Sequence, residues 1–381
     1  MPWSSRSVVS LREEFVTLAA QPGANVRVLC RRYDVSPTTA YKWLARFRDE
    51  GRQGLADRSR RPVHQPRRTA AAVEDAVLAV RDAHPAWGNR KIRARLLALG
   101  HRDVPSSSTV QSILRRHGRT ADSADVHHQP YVRFERDAPN SLWQMDFKGH
   151  FPTSSGRCHP LTVLDDHSRF SVVLHACPNE RGNTVQTHLT TAFRRYGMPE
   201  QILSDNGPPW GVDGGHSYTP LVVWLIRLGI TPLHGRPYHP QTQGKEERFH
   251  RTLHVEVLRN RIFRDLEHVQ RHFEAWRDVY NLERPHEALN LAPPATRYAP
   301  SRHAFPEQLP SIEYDATDTI RVARPSMGRI KFAGREWKVG KSFVGLPLAV
   351  RPTLVDGVHA VFFCHLKLRE LDLRAAADEA A

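Results

Sequence analysis

Three acidic residues stand out because of what surrounds them. Asp146 lies in Trp143-Gln144-Met145-Asp146-Phe147-Lys148, where apolar neighbours make a buried carboxylate costly unless hydrogen bonds or a cation compensate it. Asp205 opens Asp205-Asn206-Gly207, and Glu247 follows a glycine-containing stretch in Lys245-Glu246-Glu247-Arg248. Taken singly, an Asp in Asp-Asn-Gly is commonly a turn residue, and a Glu in such a charged run is commonly a solvated helix face. Three carboxylates from three elements, brought together, offer hard oxygen ligands for divalent ions such as magnesium. Two such ions would activate a water or a 3′-hydroxyl and balance charge on the leaving oxygen, which is phosphoryl-transfer chemistry on DNA.

That convergence needs elements to carry it. Residues 143–151, 159–165 and 170–177 read as strands, 184–196 as a helix, and 200–204 as a fourth strand with Asp205 at its exit. Three strands ahead of the first helix predict a mixed sheet. Residues 221–228 form a further helix, a long helix starts near Lys245, and another spans 266–281, with Pro293-Pro294 closing the domain. Trp143 reads as core, and Trp276 and Tyr280, four apart, read as docking their helix on the sheet. Segments 320–324, 329–332, 336–339, 348–354 and 358–365 are short strands separated by glycines, for which a small β-barrel is the economical expectation.

The chain has 381 residues, 55 Lys plus Arg against 40 Asp plus Glu, and a formal charge of +15, which excludes a single small module and points to a polyanionic partner. Nucleic acid and an anionic membrane surface both satisfy charge alone. No apolar run approaches spanning length, and four widely spaced cysteines without close pairs suit a reducing, cytoplasmic setting. Position narrows the partner: residues 1–70 hold 14 Lys or Arg and six Asp or Glu. There, 26–33 and 36–47 read as two helices with a tight connection, Ser36 capping and Pro37 in the first turn. This is a helix-turn-helix, with Thr38, Thr39 and Lys42 toward a DNA groove and Val28, Leu29, Leu44 and Phe47 as core. Residues 51–68 read as a basic DNA-tracking linker that includes Arg58, Arg60 and Arg61. Helices at 71–83, 89–99 and 107–117 follow, and Ser108-Thr109-Val110 repeats the earlier layout, which fits a second helix-turn-helix or simple three-helix packing.

Trp143-Gln144-Met145-Asp146-Phe147, Leu164-Asp165-Asp166-His167-Ser168-Arg169, Ser204-Asp205-Asn206-Gly207 and Pro237-Tyr238-His239-Pro240-Gln241-Thr242-Gln243-Gly244-Lys245-Glu246-Glu247-Arg248-Phe249 together resemble the integrase core of bacterial insertion-sequence transposases, relatives of retroviral integrases. Tyr280-Asn281, Arg284-Pro285-His286 and Ala288-Leu289 extend the likeness. The resemblance implies an α/β RNase-H-like catalytic core, preceded by all-α helix-turn-helix DNA-binding domains and followed by the small β-barrel domain. It also implies a DDE transposase that cleaves and joins DNA strands with two Mg²⁺ or Mn²⁺ per active site, acting on transposon-end and target DNA as a homodimer or larger homo-oligomer.

Motif register assigns the metal-holding acids to Asp146, Asp205 and Glu247, with Glu246 the neighbouring alternative. On a helix the two point about 100° apart. Between Asp205 and Glu247 stand 41 residues, more than the family's usual spacing, and the surplus falls around 208–217. A nuclease using water as nucleophile and an inactive DNA-binding regulator are the competing readings. The expected organisation is a helix-turn-helix domain at 1–62, a second helical domain at 63–120, a linker at 121–139 and the core with its terminal helices at 140–300. A linker at 301–318, the barrel at 319–372 and a tail at 373–381 complete it.

Beside the proposed Glu, Lys245, Arg248 and Arg251 read as phosphate contacts. His239 reads either as lying near the chemistry, though not as a general base, or as packing and loop bonding. Asp165 and Asp166 read as turn residues paired with Arg169, and Arg284 and His286 as exposed after the last helix.

Overall fold

The computed structural model describes residues 7–58, 68–120, 135–211, 218–234, 244–325 and 328–375. It divides into two compact units, Met1–Arg68 and Thr69–Ala381.

In the first unit, α1 (Val8–Ala19), α2 (Val26–Arg32) and α3 (Pro37–Glu50) enclose a core of Phe15, Val16, Cys30, Ala40, Trp43 and Leu55. Ser36 caps α3 through the Thr39 N–H, with Pro37 in the first turn, as the sequence predicts. Leu29, Leu44 and Phe47 pack on this core. Val28 does not; it is 56% exposed, because α1 supplies the apolar wall that the two-helix reading lacked. The expected linker also begins later than residue 51. A tight turn at Gly51–Leu55 folds back on α3, where a Cβ on Gly54 would sit 2.3 Å from the Arg46 carbonyl oxygen, so only glycine fits.

The second unit begins with α4 (Ala71–Ala83), α5 (Asn89–Ala98) and α6 (Ser107–Arg116), closed around Val77, Trp87, Ile92, Leu96, Val110 and Ile113. Ser106 caps α6 as Ser36 caps α3.

The sheet of the central domain runs β4 (Ser171–Cys177), β3 (Gly156–Asp165), β1 (Trp143–Phe147), β5 (Gln201–Ser204), β6 (Thr231–His234). The first three are antiparallel, and β5 and β6 join parallel to β1, which is the RNase-H-like arrangement. The single strand expected at 143–151 is interrupted at Gly149, φ +77°; β2 (Phe151–Thr153) resumes pairing with β3, its register displaced by one residue.

Alternation along β1 divides the two faces. Trp143 and Met145 join Leu161 and Val163 under α7 (Gly182–Tyr196) and α8 (Pro220–Arg227). Gln144 and Asp146 point to the opposite face. There α9 (Gly244–Leu253) and α10 (Leu266–Asp278) bring Phe249, Leu253, Phe273, Trp276 and Tyr280 onto Leu164 and Leu174. Trp143, Trp276 and Tyr280 are core, as expected.

Strands β7 (Thr319–Val322), β10 (Pro347–Pro352), β11 (Val358–Phe363) and β12 (Leu366–Asp372) form a four-stranded antiparallel sheet in the order β12-β11-β10-β7. A two-stranded ribbon, β8 (Arg329–Phe332) with β9 (Arg335–Lys338), bridged just past the end of β7 through Arg324 and Arg329, completes the small sheet domain; among the described residues its strands pair as two ladders. Its core takes in Val222, Val223 and Ile226, the outer face of α8, while Leu221, Trp224 and Leu225 face the central sheet.

Arg284 is buried rather than exposed as expected: its Nε donates to Glu256 Oε1 at 3.0 Å, and Trp276 Nε1 donates to the other oxygen at 2.8 Å. His286, also expected exposed, packs edge-on against Tyr280. Removing one partner of a buried pair leaves an uncompensated charge, so Arg284→Ala is expected to lower the stability of this unit by about 3–5 kcal/mol, read from urea unfolding.

Candidate active site

Asp146 and Asp205 meet because β1 and β5 are parallel neighbours. Trp143 pairs with Ile202 and Gln144 with Leu203, and that register, continued to the strand ends, sets Asp146 alongside Asp205. After Asp205 the chain turns, with Trp210 and Gly211 both donating to the Gly207 carbonyl, and Trp210 returns to stack on Phe147 at 5.7 Å. The loop is thereby fastened beside Asp146. Asn206 and Gly207 shape this strand exit, as expected; the surplus loop lies partly at 212–217, outside the described residues.

The carboxyls are electrostatically strained. Burial, then the charge of Asp205, and then those of Glu180 and Glu247 push Asp146 up to about 7, against help from the Phe147 N–H. Asp205 is raised by burial and by Glu180, opposed by the Gly207 N–H and His234. Its Oδ1 is buried with no hydrogen-bond partner. A divalent cation would satisfy that oxygen and relieve the repulsion, and two hard carboxylates suit it. Among the described residues no three His, Cys, Asp or Glu side chains already stand gathered around one ion position.

Helix α9 carries the two glutamates in opposite settings. Glu247 is exposed, whereas Glu246 is 1% exposed, its Oε2 3.0 Å from Thr162 Oγ1 and its Oε1 unpartnered. Burial and the charge of Asp146 raise the Glu246 pKa well above the ordinary carboxylate range. His250, one turn on, places Nε2 2.8 Å from Thr162 Oγ1 and Nδ1 3.9 Å from Asp146 Oδ2. Burial, then Lys148, depress His250 to about 4.

Lys245, expected to contact phosphates, is occupied otherwise: its ammonium pairs with Asp166, which is fully buried and also accepts from Gln144 Nε2 and the Arg136 N–H. This ties the start of α9 to the β3–β4 turn. Asp165 accepts from the Asn140 and Ser168 N–H groups, and Arg169 pairs with Glu135, so the expected Asp–Arg pairing does not form. Arg248 and Arg251 are exposed on α9 without an ion pair among the described residues.

In the amino-terminal unit Thr38 and Lys42 are exposed on α3, but Thr39 bonds the capping Ser36 hydroxyl and Arg58 pairs with Glu50. Arg60, Arg61 and His239 lie outside the described residues.

Thr162, Gln144 and Glu180 went unnoticed in the sequence. Thr162 is the one polar side chain in Leu161-Thr162-Val163-Leu164, which is the signal that marked it. Glu180, 2.8 Å from His159 Nδ1, follows β4 and carries no such mark.

Integrase core domain families match residues 136–240 and 228–294. A helix-turn-helix domain family matches 11–62, a homeodomain-like family 39–114, and the IS481 family transposase C-terminal domain 318–379. The insertion element IS407 uncharacterized 31.7 kDa protein of Burkholderia multivorans is 27% identical over 235 residues, covering 56% of this chain and 83% of that protein. The insertion element IS476 uncharacterized 39.2 kDa protein of Xanthomonas euvesicatoria is 29% identical over 157 residues, 41% of this chain and 44% of that one. Among solved structures, the catalytic core domain of BIV integrase is 23% identical, with a TM-score of 0.31, over 41% of this chain and 92% of that chain. No helix among the described residues is long and apolar enough to cross a membrane.

An unfolded Asp titrates near ~3.9, and a carboxyl held higher in the folded state stabilises it fully below that pH and loses the contribution as pH climbs through the folded value. With Asp146 at about 7, the melting temperature of the metal-free protein is expected to fall between mildly acidic and mildly alkaline pH. Asp146→Asn should flatten that slope, and Mn²⁺ should raise the melting temperature more at the alkaline end, both read by differential scanning fluorimetry.

Proposed function

We propose that the chain is an insertion-sequence transposase with an integrase-like core, one that cleaves element-end DNA and joins the freed 3′-hydroxyl to target DNA. The observation that carries this reading is the placement of Asp146 and Asp205 on neighbouring parallel strand ends, half-enclosed and mutually repelling, with one buried Asp205 oxygen lacking a hydrogen-bond partner. Glu247 completes the set. It is exposed, and its charge reaches Asp146.

Asp146, Asp205 and Glu247 would hold two Mg²⁺ or Mn²⁺. When bound, such ions supply Lewis-acid stabilisation of the attacking and leaving oxygens of an in-line displacement. The protein's own part is placement. The strand register fixes the two aspartates, the Trp210–Phe147 stack holds the intervening loop, and Lys245 with Asp166 fixes the start of α9. Exposed Arg248 and Arg251 flank Glu247 on that helix and would take phosphate oxygens, while Thr38 and Lys42 on α3 would read or track element ends. Two ends must meet for joining, so the active form is a homodimer or larger homo-oligomer.

Asp146→Asn, Asp205→Asn and Glu247→Gln are each expected to reduce joining of a duplex taken from the borders of the coding region by about a hundredfold or more. Binding of that duplex should persist. Cleavage without joining by the unaltered protein would favour a nuclease, and binding without either would favour a regulator.

A further inference from the structure

We propose that Glu246, Thr162 and His250 form a buried clamp that sets the rotation of α9 about its own axis and so aims Glu247 at Asp146, an inference that rests on the metal-site reading above. Thr162 is fully buried on β3 directly across from Asp146. Its hydroxyl oxygen meets three groups: the Asp146 carbonyl oxygen at 3.0 Å, Glu246 Oε2 at 3.0 Å and His250 Nε2 at 2.8 Å. A hydroxyl has a single proton, for which the Asp146 carbonyl and Glu246 are alternative acceptors, while its lone pairs are open to a His250 Nε2–H. Glu246 and His250, one turn apart on α9, thus grip a single point on the strand that carries the neighbour of Asp146. The far nitrogen of His250 extends to 3.9 Å from Asp146 Oδ2.

Helix geometry shows what that grip decides. At about 100° per residue, with Lys245 set to zero, Phe249 falls near 40°, Leu253 near 80°, Glu246 near 100°, His250 near 140° and Glu247 near 200°. The sheet-facing arc therefore ends at His250, and Glu247 is the next position beyond it, on the side from which His250 reaches Asp146. Phe249 and Leu253 fix how deeply α9 sits, but apolar burial is non-directional and tolerates rolling. Hydrogen bonds to Thr162 have preferred angles and do not. A roll of one residue in either direction would bury Glu247 or swing it away from Asp146. This also accounts for a glutamate at a position where the packing alone calls for an apolar side chain: the buried acid is a directional anchor, and Glu247 is the ligand.

The test compares Glu246→Gln with Glu246→Ala, and Thr162→Ser with Thr162→Val, in the full-length protein. Mn²⁺ alone is titrated by calorimetry, and joining of the border duplex is followed as a function of Mn²⁺ concentration. Glu246→Ala and Thr162→Val are expected to weaken Mn²⁺ binding about 10–100-fold, the cost of losing a group that orients a metal ligand. Glu246→Gln and Thr162→Ser, which keep a hydrogen-bonding group in place, should lie closer to the unaltered protein than to their alanine and valine counterparts. The joining defect should shrink as Mn²⁺ is raised, which a general loss of fold would not show. If Glu246→Ala does not fold, the Thr162 pair decides. Loss of Mn²⁺ binding in Glu246→Gln as complete as in Glu247→Gln would make Glu246 itself a ligand and overturn the clamp, as would unimpaired binding by Thr162→Val. Full Mn²⁺ binding by Asp146→Asn, Asp205→Asn and Glu247→Gln alike would overturn the metal-site reading beneath it.

Discussion

Repulsion between carboxylates held at one end of two parallel strands governs the construction of the central domain. Asp146 and Asp205 are brought together by the β1–β5 register, and each is raised in pKa by burial and by the acids around it. A fold does not accumulate like charge in a partly dry place without a compensating interaction, because the desolvation and Coulomb costs reinforce each other. Hydrogen bonds relieve only part of it here: the Phe147 N–H serves Asp146 and the Gly207 N–H serves Asp205, while one Asp205 oxygen has none. What remains is a cation-shaped demand, and the surrounding elements are braced to preserve it.

The bracing is done by polar groups that contribute orientation. Lys245 and Asp166 fasten the beginning of α9 to the β3–β4 turn, Thr162 holds its first full turn, and Glu256 with Arg284 and Trp276 fastens the segment after it to α10. Buried ion pairs of this kind are weak contributors to stability, since desolvation offsets most of the attraction. Their value here is positional: three separate points along α9 and the segment that follows are fixed, two against the sheet and its β3–β4 turn and one against α10, each by bonds with a preferred direction.

Much of this was legible in the sequence because it rests on local pattern. The caps at Ser36, the strand exit at Asp205 and the apolar run 221–226 follow from side-chain chemistry and periodicity. Long-range pairings were not legible. Lys245 read as a free phosphate contact because nothing local to Lys-Glu-Glu-Arg reveals Asp166 some eighty positions earlier. Arg284 read as exposed for the same reason, its partner Glu256 lying across the intervening helix. Residues 221–228 read only as a further helix; their apolar stretch is buried on every side because α8 is shared between the central sheet and the terminal domain. Glu246 and Glu247 were separable only by motif register until burial distinguished them.

Pairing leaves the excess of 15 positive charges unchanged, since every acid is already counted in it, but it decides where that excess is felt. Arg58 is taken by Glu50, Lys245 by Asp166, Arg284 by Glu256 and Arg351 by Asp318, so a count of basic residues overstates the field a polyanion meets. Among the many cations exposed without an ion pair in the described residues, Lys42 on α3 and Arg248 and Arg251 on α9 sit on the same helices as the groups that would read DNA or act on it. A phosphate backbone is attracted by unneutralised charge, and the attraction falls steeply with salt in proportion to the number of such contacts. Exposed cations beside Glu247 would add to that pull where the carboxylates stand. The same carboxylates would repel a bare phosphate, so a DNA strand would be drawn fully into such a site only once a cation had met their charge.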